Sequence, residues 1–441
     1  GFGVGDLGGN MFFTIMGFYL LFYLTDVVRI PPALAGAAVA IGRIWDAITD
    51  PVTGYLSDRT VTRIGRRRPY MVIGALFTFV SMILLFSTPQ LDSPRALFAL
   101  MTFLFCLVSL AYTLVNIPYA ALLPELTSDF DQRTELTGYR MTFAVIGTLV
   151  GAGAVLPLIE VFGGGRSGWL AMGAITGAVM MLSALTTVWA IREPRREKAP
   201  VAGENLFRTM GSVLGNRVFL QALIPWTMFI AGTAVIQGSL IYFFREIYAN
   251  EGLFQVGLIF LLVTALLVIP FWVWMAGRIG KKLSYIIGMG IVSAGVLLVG
   301  FAGGAGRETF AFVVMALAGV GLSTHYVMPH SILPDVVEYD AVHNGVRREG
   351  IFSSMWTFSS KIGQALAQLV VGIVLQVVRY SPDLDPEPIT RAGIRILTGA
   401  VPVVFYAIGI IVLVGYPITR KFYDQMLASA GQGSAPAPQE G

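Results

Sequence analysis

The chain has little charge and almost no cysteine. Of its 441 residues, 13% are charged and 55% are hydrophobic, whereas about a quarter of the residues in a typical soluble domain are charged. This composition excludes a soluble fold. Because Cys106 is the single cysteine, an intramolecular disulfide is excluded. The sequence also contains no Asn-x-Ser/Thr motif for N-glycosylation. There is no basic segment followed by a cleavage site, so we expect no signal peptide.

Common catalytic motifs are missing as well. The sequence contains no His-Glu-x-x-His, no Gly-x-Ser-x-Gly and no phosphate-binding P-loop, so we expect neither an enzyme nor a bound cofactor. The net charge is only +4, and the basic residues are scattered over short loops. This pattern indicates membrane topology rather than a nucleic-acid partner.

Long apolar runs fill most of the chain, and a membrane span needs about 20 such residues. The runs predict twelve spans, at residues 9–28, 32–56, 70–88, 96–123, 139–160, 168–191, 218–244, 252–276, 283–304, 308–334, 351–378 and 393–417. When loops are assigned to alternate sides, 20 of the 30 Lys and Arg fall on one side and 8 on the other. We therefore expect an integral protein of a bacterial cytoplasmic membrane, with both termini cytoplasmic.

Two unrelated landmarks recur at almost the same offset. Leu123-Pro124-Glu125 returns as Leu333-Pro334-Asp335, and Gly65-Arg66-Arg67-Arg68 returns as Gly280-Lys281-Lys282. The recurrence predicts an all-α polytopic membrane protein with two six-helix pseudo-repeats, as in the major facilitator fold. The predicted parts are an N-terminal bundle at 1–191, a cytoplasmic linker at 192–217, a C-terminal bundle at 218–417 and a disordered cytoplasmic tail at 418–441.

The second predicted span carries three ionisable residues, which are costly in lipid and are retained for a partner or a function. At about 100° per residue, Arg43, Asp46 and Asp50 fall within roughly 60° of one helix face, so we expect that face to line a cavity. Two carboxylates with the Thr49 hydroxyl between them offer oxygen ligands for a cation such as Na⁺, or a shared proton. The alternative is an internal salt-bridge cluster, although one arginine cannot neutralise two carboxylates.

Three other polar residues lie within predicted spans. Lys361, in the eleventh span, either pairs with the acidic site or extends its amine toward the cytoplasmic side. Asn10 and Asn116 either bind a hydroxylated or zwitterionic ligand or hold helices together by hydrogen bonds. By contrast, His325 and His330 are five residues apart and do not share a helix face, so we expect them to serve packing rather than a metal.

The loop after the second span combines an acid with a basic cluster. Asp58, Arg59, Arg66 and Arg67 lie at the predicted cytoplasmic mouth. Ion pairs among such loops would close that side and break as it opens. The same charges also orient the helices, and both interpretations can hold.

These residues together resemble a known family, the glycoside–pentoside–hexuronide:cation symporters of the melibiose permease type. The matching segments are Tyr23–Val28, Arg43–Pro51, Asn116–Tyr119, Leu333–Val337 and Lys361. The resemblance implies a cation site formed by Asp46, Thr49, Asp50 and Thr113, and functional roles for Lys361 and Arg140.

The residues expected to contact substrate differ from those of the sugar permease. At the positions of Asn10 and Asn116 that protein has aspartates, at Gly9 it has a lysine, and at Ala120 it has a tryptophan. An aromatic is kept at Tyr326. Other stretches, Tyr139–Thr142 and Ile269–Trp272, resemble the animal sodium-dependent lysophosphatidylcholine symporters of the same superfamily. The resemblance therefore leaves a sugar or glycoside and a lysolipid as alternative substrates.

The sequence thus predicts a symporter that works by alternating access and co-transports Na⁺ or H⁺. We expect its small-molecule substrate near Asn10, Asn116, Arg140, Tyr326 and Lys361. We expect a monomer surrounded by membrane lipid. A channel is the competing class, and the duplicated halves favour rocking of two bundles over a constant pore.

Overall fold

The structure is a computed structural model that describes residues 1–60, 62, 64–87, 91–126, 130–191, 211, 213–344 and 348–430. The regular structure in these ranges is helical, without a strand. The long helices are α1 (Phe2–Phe18 continued by Leu20–Val27), α2 (Pro32–Arg59), α3 (Arg68–Leu85), α4 (Pro94–Leu126), α5 (Phe130–Gly153 continued by Val155–Val161), α6 (Gly165–Ala190), α7 (Arg217–Tyr248), α8 (Gly252–Ile279), α9 (Lys281–Ala302), α10 (Glu308–Asn344), α11 (Glu349–Val377) and α12 (Pro388–Val414).

Length and apolarity identify nine membrane-spanning helices among the described residues, or eleven when α1 and α5 each count as one bent span. The bends are 48° in α1 and 47° in α5. The twelfth helix, α2, has 28 residues, but Arg43, Asp46 and Asp50 lie near its centre and lower its apolarity. With α2 included, the described residues confirm the predicted all-α polytopic fold of twelve helices.

Local sequence explains where several helices begin. Pro32 is the first residue of α2 and needs no hydrogen-bond acceptor for its nitrogen there. At the start of α7, the Asn216 side chain accepts hydrogen bonds from the amides of Val218 and Phe219, at 3.0 and 3.2 Å, which is a typical N-cap. Between α8 and α9 the chain turns at Gly280 alone, with φ of +88°, a conformation that favours glycine.

The described chain divides into two compact units. The first contains α1–α6 with residues 240–242 and 368–390, and the second contains the rest of α7–α12 and the C-terminal segment. In the first unit α4 packs against α2 and α3, and in the second α10 packs against α8 and α9. The same pairings therefore recur six helices apart. Most of the predicted linker, 192–217, lies outside the described residues.

Two close helix contacts position the polar residues of the first unit. Gly42 of α2 lies against the Phe105 ring of α4, where an added Cβ would come within 2.1 Å of a ring carbon. Gly147 of α5 lies against the Leu7 carbonyl of α1, where a Cβ would come within 2.2 Å of the oxygen. Larger residues at these glycines would push the helices apart, so the glycines set the α2–α4 and α1–α5 spacing.

The prediction that the tail, 418–441, is disordered is wrong for the first part of this segment. Arg420–Ala430 forms a further helix, α13, while residues 431–441 lie outside the described residues. Phe422 and Met426, four residues apart on one face of α13, are buried, and the Phe422 ring lies 6.2 Å from that of Tyr339. Burial of this apolar face stabilises the helix, and the Ala, Gly, Pro and Ser content of the segment did not reveal it.

Candidate functional site

Two carboxylates of α2, one buried and one partly buried, converge on one hydroxyl of α4. The Thr113 Oγ1 atom lies 2.9 Å from Asp46 Oδ1 and 3.0 Å from Asp50 Oδ1. Asp46 and Thr113 are buried and Asp50 is partly buried. Since Asp46 and Asp50 are one helical turn apart, α2 presents both carboxylates on the same side, and the close contact at Gly42 brings α4 within reach. We call Asp46, Asp50 and Thr113 the α2–α4 acidic cluster.

On α2, the two carboxylates of the α2–α4 acidic cluster lie near one arginine, Arg43. Arg43 is buried and lies one turn before Asp46, and its guanidinium is 5.9 Å from each of the Phe13 and Phe105 ring centres. Its Nε atom has no hydrogen-bond partner in the described part of the chain. Two carboxylates this close together in a poorly hydrated site can share a proton or hold a cation.

The donor set suits a small hard cation. Carboxylate and hydroxyl oxygens are the ligands that alkali and alkaline-earth ions accept, and three such oxygens meet at Thr113. Thr49, the fourth predicted ligand, is buried and donates its hydroxyl to the Asp46 carbonyl at 3.3 Å. No group of three or more His, Cys, Asp or Glu that could hold a metal occurs among the described residues. The set therefore fits Na⁺ or a proton better than a transition metal.

Arg140, predicted to contact substrate, is engaged by a residue that sequence reasoning missed. Its Nε and Nη2 atoms donate to the two oxygens of Asp6 at 2.6 and 3.1 Å, and Tyr119 donates to Asp6 at 2.6 Å. The guanidinium also lies over the Tyr119 ring, 4.8 Å from its centre. We call Asp6 and Arg140 the α1–α5 ion pair, and Tyr119 of α4 is its hydrogen-bonding neighbour. Asp6 was overlooked because the first span was predicted to begin at residue 9, whereas α1 begins earlier.

The two predicted asparagines lie in the first unit but have different surroundings. Asn10 donates to the Asp6 carbonyl within its own helix, at 2.9 Å. Asn116 lines a cavity of about 20 Å³ together with Gly9 and Tyr112. That volume holds a water molecule but not a sugar or a lipid. A substrate would have to enter through a rearranged or wider opening at this position.

The two remaining predicted substrate residues belong to the second unit. Lys361 of α11 is buried at 8% exposure, whereas Tyr326 of α10 is 46% exposed. The neighbouring His325 is stacked between the rings of Trp226 and Phe229, at 4.8 and 4.5 Å. This stacking gives His325 a packing role. The structure thus describes Asn10, Asn116 and Arg140 in one unit and Tyr326 and Lys361 in the other.

The predicted gating residues make two contacts in the first unit. Arg67, with its side chain 6% exposed, donates to Asp58 at 3.0 Å, and Arg59 lies over the Tyr55 ring at 3.9 Å. Arg66 also lies in the described loop. In the second unit, the repeated landmarks meet directly, because Lys281 pairs with Asp335 at 2.6 Å. The side chain of Glu125, the counterpart of Asp335, lies outside the described residues.

A polar cluster at the end of α1 was not recognised from sequence. Asp26 is buried and accepts hydrogen bonds from Thr25 at 2.5 Å and from Tyr380 at 2.7 Å. The Thr25 hydroxyl lies 2.7 Å from that of Tyr242. The segment Tyr23–Val27 is π-helical, and such turns are frequent at functional sites. The signal available in the sequence was an acid next to a threonine, Thr25-Asp26, inside the predicted span 9–28.

Comparison with known proteins places these features in a family. The family model described as MFS/sugar transport protein matches residues 1–420. The isoprimeverose transporter of Lactiplantibacillus pentosus is 29% identical over 98% of this chain and 91% of its own. The sodium-dependent lysophosphatidylcholine symporter 1 of Gallus gallus is 25% identical over 92% of this chain and 83% of its own.

A solved structure supports the fold independently. The crystal structure of a point mutant of the nucleoside transporter NupG superposes with a TM-score of 0.68, covering 94% of this chain and 98% of that one at 15% identity. At this identity the likeness concerns the fold alone. Together with the family match over nearly the whole chain, it confirms the major facilitator architecture and an integral membrane transporter rather than an enzyme. The chain belongs to the MFS/sugar transport protein family.

Proposed function

We propose that the chain is a secondary symporter that couples entry of Na⁺ or H⁺ to movement of a sugar or glycoside by alternating access. The observation that carries the proposal is the convergence of Asp46 and Asp50 on the Thr113 hydroxyl, at 2.9 and 3.0 Å. A bound cation would lower the electrostatic cost of holding both carboxylates in the buried site. Cation binding would thereby favour the form of the transporter that accepts substrate.

Coupling follows from reciprocity. If the cation increases affinity for the substrate, the substrate increases affinity for the cation by the same factor. In this scheme Asp46, Asp50, Thr113 and Thr49 hold the cation, with Na⁺ bound chiefly by Asp46 and Asp50. The relationship to the isoprimeverose transporter supports a glycoside as substrate. We propose that Asn10, Asn116, Arg140, Tyr326 and Lys361 contact that substrate and that Asp58, Arg59, Arg66 and Arg67 act in gating.

A second candidate is coupled transport of a lysophospholipid or a similar amphiphile. It is favoured by the relationship to the lysophosphatidylcholine symporter over 92% of the chain. The amides at Asn10 and Asn116 and the engagement of Asp6 by Arg140 also leave fewer free carboxylates for sugar hydroxyls. A zwitterionic headgroup needs fewer hydrogen-bond acceptors than a sugar does.

Ligand-dependent stability tests both candidates. A ligand that binds only the native state raises its stability, by about 2.7 kcal/mol at 100 times its Kd. Purified protein is heated with a panel of glycosides and lysolipids, with and without NaCl and at two pH values. We expect one class to raise Tm more when the coupling cation is present. Equal stabilisation with and without Na⁺ and at both pH values would contradict cation coupling.

A further inference from the structure

A large groove lies entirely within the second unit and includes the Lys281–Asp335 pair. It has a volume of about 800 Å³ and is formed where α8 ends, α9 begins, α10 passes behind them and α13 starts. Because Gly280 alone connects α8 to α9, the ends of these two helices are held side by side.

The groove is strongly basic. Five cationic residues line it against two carboxylates, Asp335 and Asp424; the cations are Arg278, Lys281, Lys282, Arg420 and Lys421. Two of the five are used in the structure itself. Lys281 pairs with Asp335 at 2.6 Å, and Lys282 donates to the carbonyls of Val414 and Tyr416, at 2.5 and 3.1 Å.

The other three cations are available at the rim. Arg278, Arg420 and Lys421 are exposed, and none of them has an ion pair in the part of the chain that the structure describes. Arg278 lies over the Trp274 ring, at 4.9 Å from its centre. Arg420 and Lys421 are carried by α13, which is anchored by the buried Phe422 and Met426. The rim therefore presents exposed positive charge without an ion pair among the described residues.

The wall of the groove is apolar. Val273 and Leu283 are 56% and 46% exposed, and Ile286 and Val327 also line the groove. A free phosphate would use only the rim and would leave this wall bare. A phospholipid would place its acyl chains on the wall and its phosphate at the rim. Trp274, which is 52% exposed, suits the membrane interface, where tryptophan is enriched.

We propose that this groove binds the headgroup of an anionic phospholipid from the leaflet on the Lys/Arg-rich side. That side is the predicted cytoplasmic one, where anionic lipids attract basic segments and where basic pockets between helices bind lipid headgroups. The bound lipid would hold α13 against α8, α9 and α10.

Lipid titration followed by native mass spectrometry of the full chain tests the proposal. The lipids are phosphatidylglycerol and phosphatidylcholine with identical acyl chains. The groove variant is R278Q/R420Q/K421Q, and the charge-matched control is R195Q/R196Q/K198Q in the predicted linker. Each surface Lys or Arg changes anionic-lipid binding roughly fivefold. We therefore expect the groove variant to lose phosphatidylglycerol binding by at least about tenfold and the linker variant to keep it.

Three results would overturn the proposal. They are equal loss in both variants, no loss in the groove variant, and competition by glycerol 3-phosphate at the same concentrations as the whole lipid, which would indicate a soluble phosphate ligand. If the groove variant does not fold, quenching of tryptophan fluorescence by brominated phosphatidylglycerol decides instead. We expect stronger quenching in the wild type than in Trp274→Phe, and equal quenching would overturn the proposal.

Discussion

The first unit holds two buried acidic sites that differ in how their charge is balanced. In the α1–α5 ion pair, one carboxylate, Asp6, receives two hydrogen bonds from one guanidinium, Arg140. In the α2–α4 acidic cluster, two carboxylates share a neutral hydroxyl and have one arginine on their own helix. The first arrangement matches one carboxylate with one guanidinium, whereas the second is the site at which we propose that a cation binds. The comparison separates a structural ion pair from a candidate coupling site.

The largest expected effect follows from neutralising the acidic cluster. Asp46→Asn or Asp50→Asn removes one of the two carboxylates that would hold the cation. We expect cation-driven uptake into proteoliposomes to fall to the level of empty vesicles, with the fold retained. The substrate for this assay is the ligand identified by thermal stabilisation.

Asp92→Asn is the matched control for this experiment, because Asp92 is an exposed aspartate outside the α2–α4 acidic cluster and outside the proposed gating residues. It should retain most of the uptake. Full accumulation by both Asp46→Asn and Asp50→Asn would remove the distinction between the two acidic sites.

The next effect concerns stability. Asp6→Asn leaves the Arg140 guanidinium without its ionic partner in a nearly buried position, and breaking a buried pair costs about 3 kcal/mol. We expect a lower Tm than for Asp46→Asn. The double variant Asp6→Asn with Arg140→Gln should recover part of the loss, since neither charge is then unpaired. A Tm for Asp6→Asn equal to that of the wild type would show that this pair is not structural.

A smaller effect is expected at the shared hydroxyl. Thr113→Val removes an oxygen that a bound cation would use, and a hydrogen bond to a charged group contributes about 1.5–3 kcal/mol. We expect the cation concentration for half-maximal uptake to rise about tenfold. Thr113→Ser keeps the hydroxyl and should behave like the wild type. Identical cation dependence for the valine and serine variants would exclude Thr113 as a ligand.

The smallest effect is expected for the exposed pair of Arg29 and Asp383, which lie 2.9 Å apart with side chains 47% and 69% exposed. Asp383→Asn removes one of the two charges, and exposed ion pairs contribute about 0–1 kcal/mol. We expect a Tm within about 2 °C of the wild type, because a 1 kcal/mol change shifts Tm by only a few degrees in a chain of this size. A large loss of Tm would mean that this pair, like the α1–α5 ion pair, supports the fold.

The hydropathy pattern predicted the number of long helices correctly but misplaced some of their ends. α10 was predicted to stop at residue 334, beside Pro334, but it continues through Pro329 and Pro334 to Asn344. Proline interrupts one hydrogen bond, and neighbouring helices and side chains compensate for it within a membrane bundle. α13 escaped prediction because its apolar face is short and depends on contacts with distant residues.

For the candidate site, helical periodicity was enough to place Asp46 and Asp50 on one face. It cannot identify a partner on another helix. Thr113 was named only through family resemblance, and Asp6 was not named at all. Both lie far along the chain from the residues they contact, and close approaches such as those at Gly42 and Gly147 bring them together. Such long-range pairings follow from packing rather than from local spacing.

Direct measurement of cation binding by the purified protein tests whether Asp46 and Asp50 hold the coupling cation. Equilibrium binding of Na⁺ and proton uptake in weakly buffered solution are compared for the wild type, Asp92→Asn and the double variant Asp46→Asn with Asp50→Asn. We expect a saturable cation site in the first two proteins and none in the double variant. Cation binding by the double variant with wild-type affinity and stoichiometry would contradict this expectation.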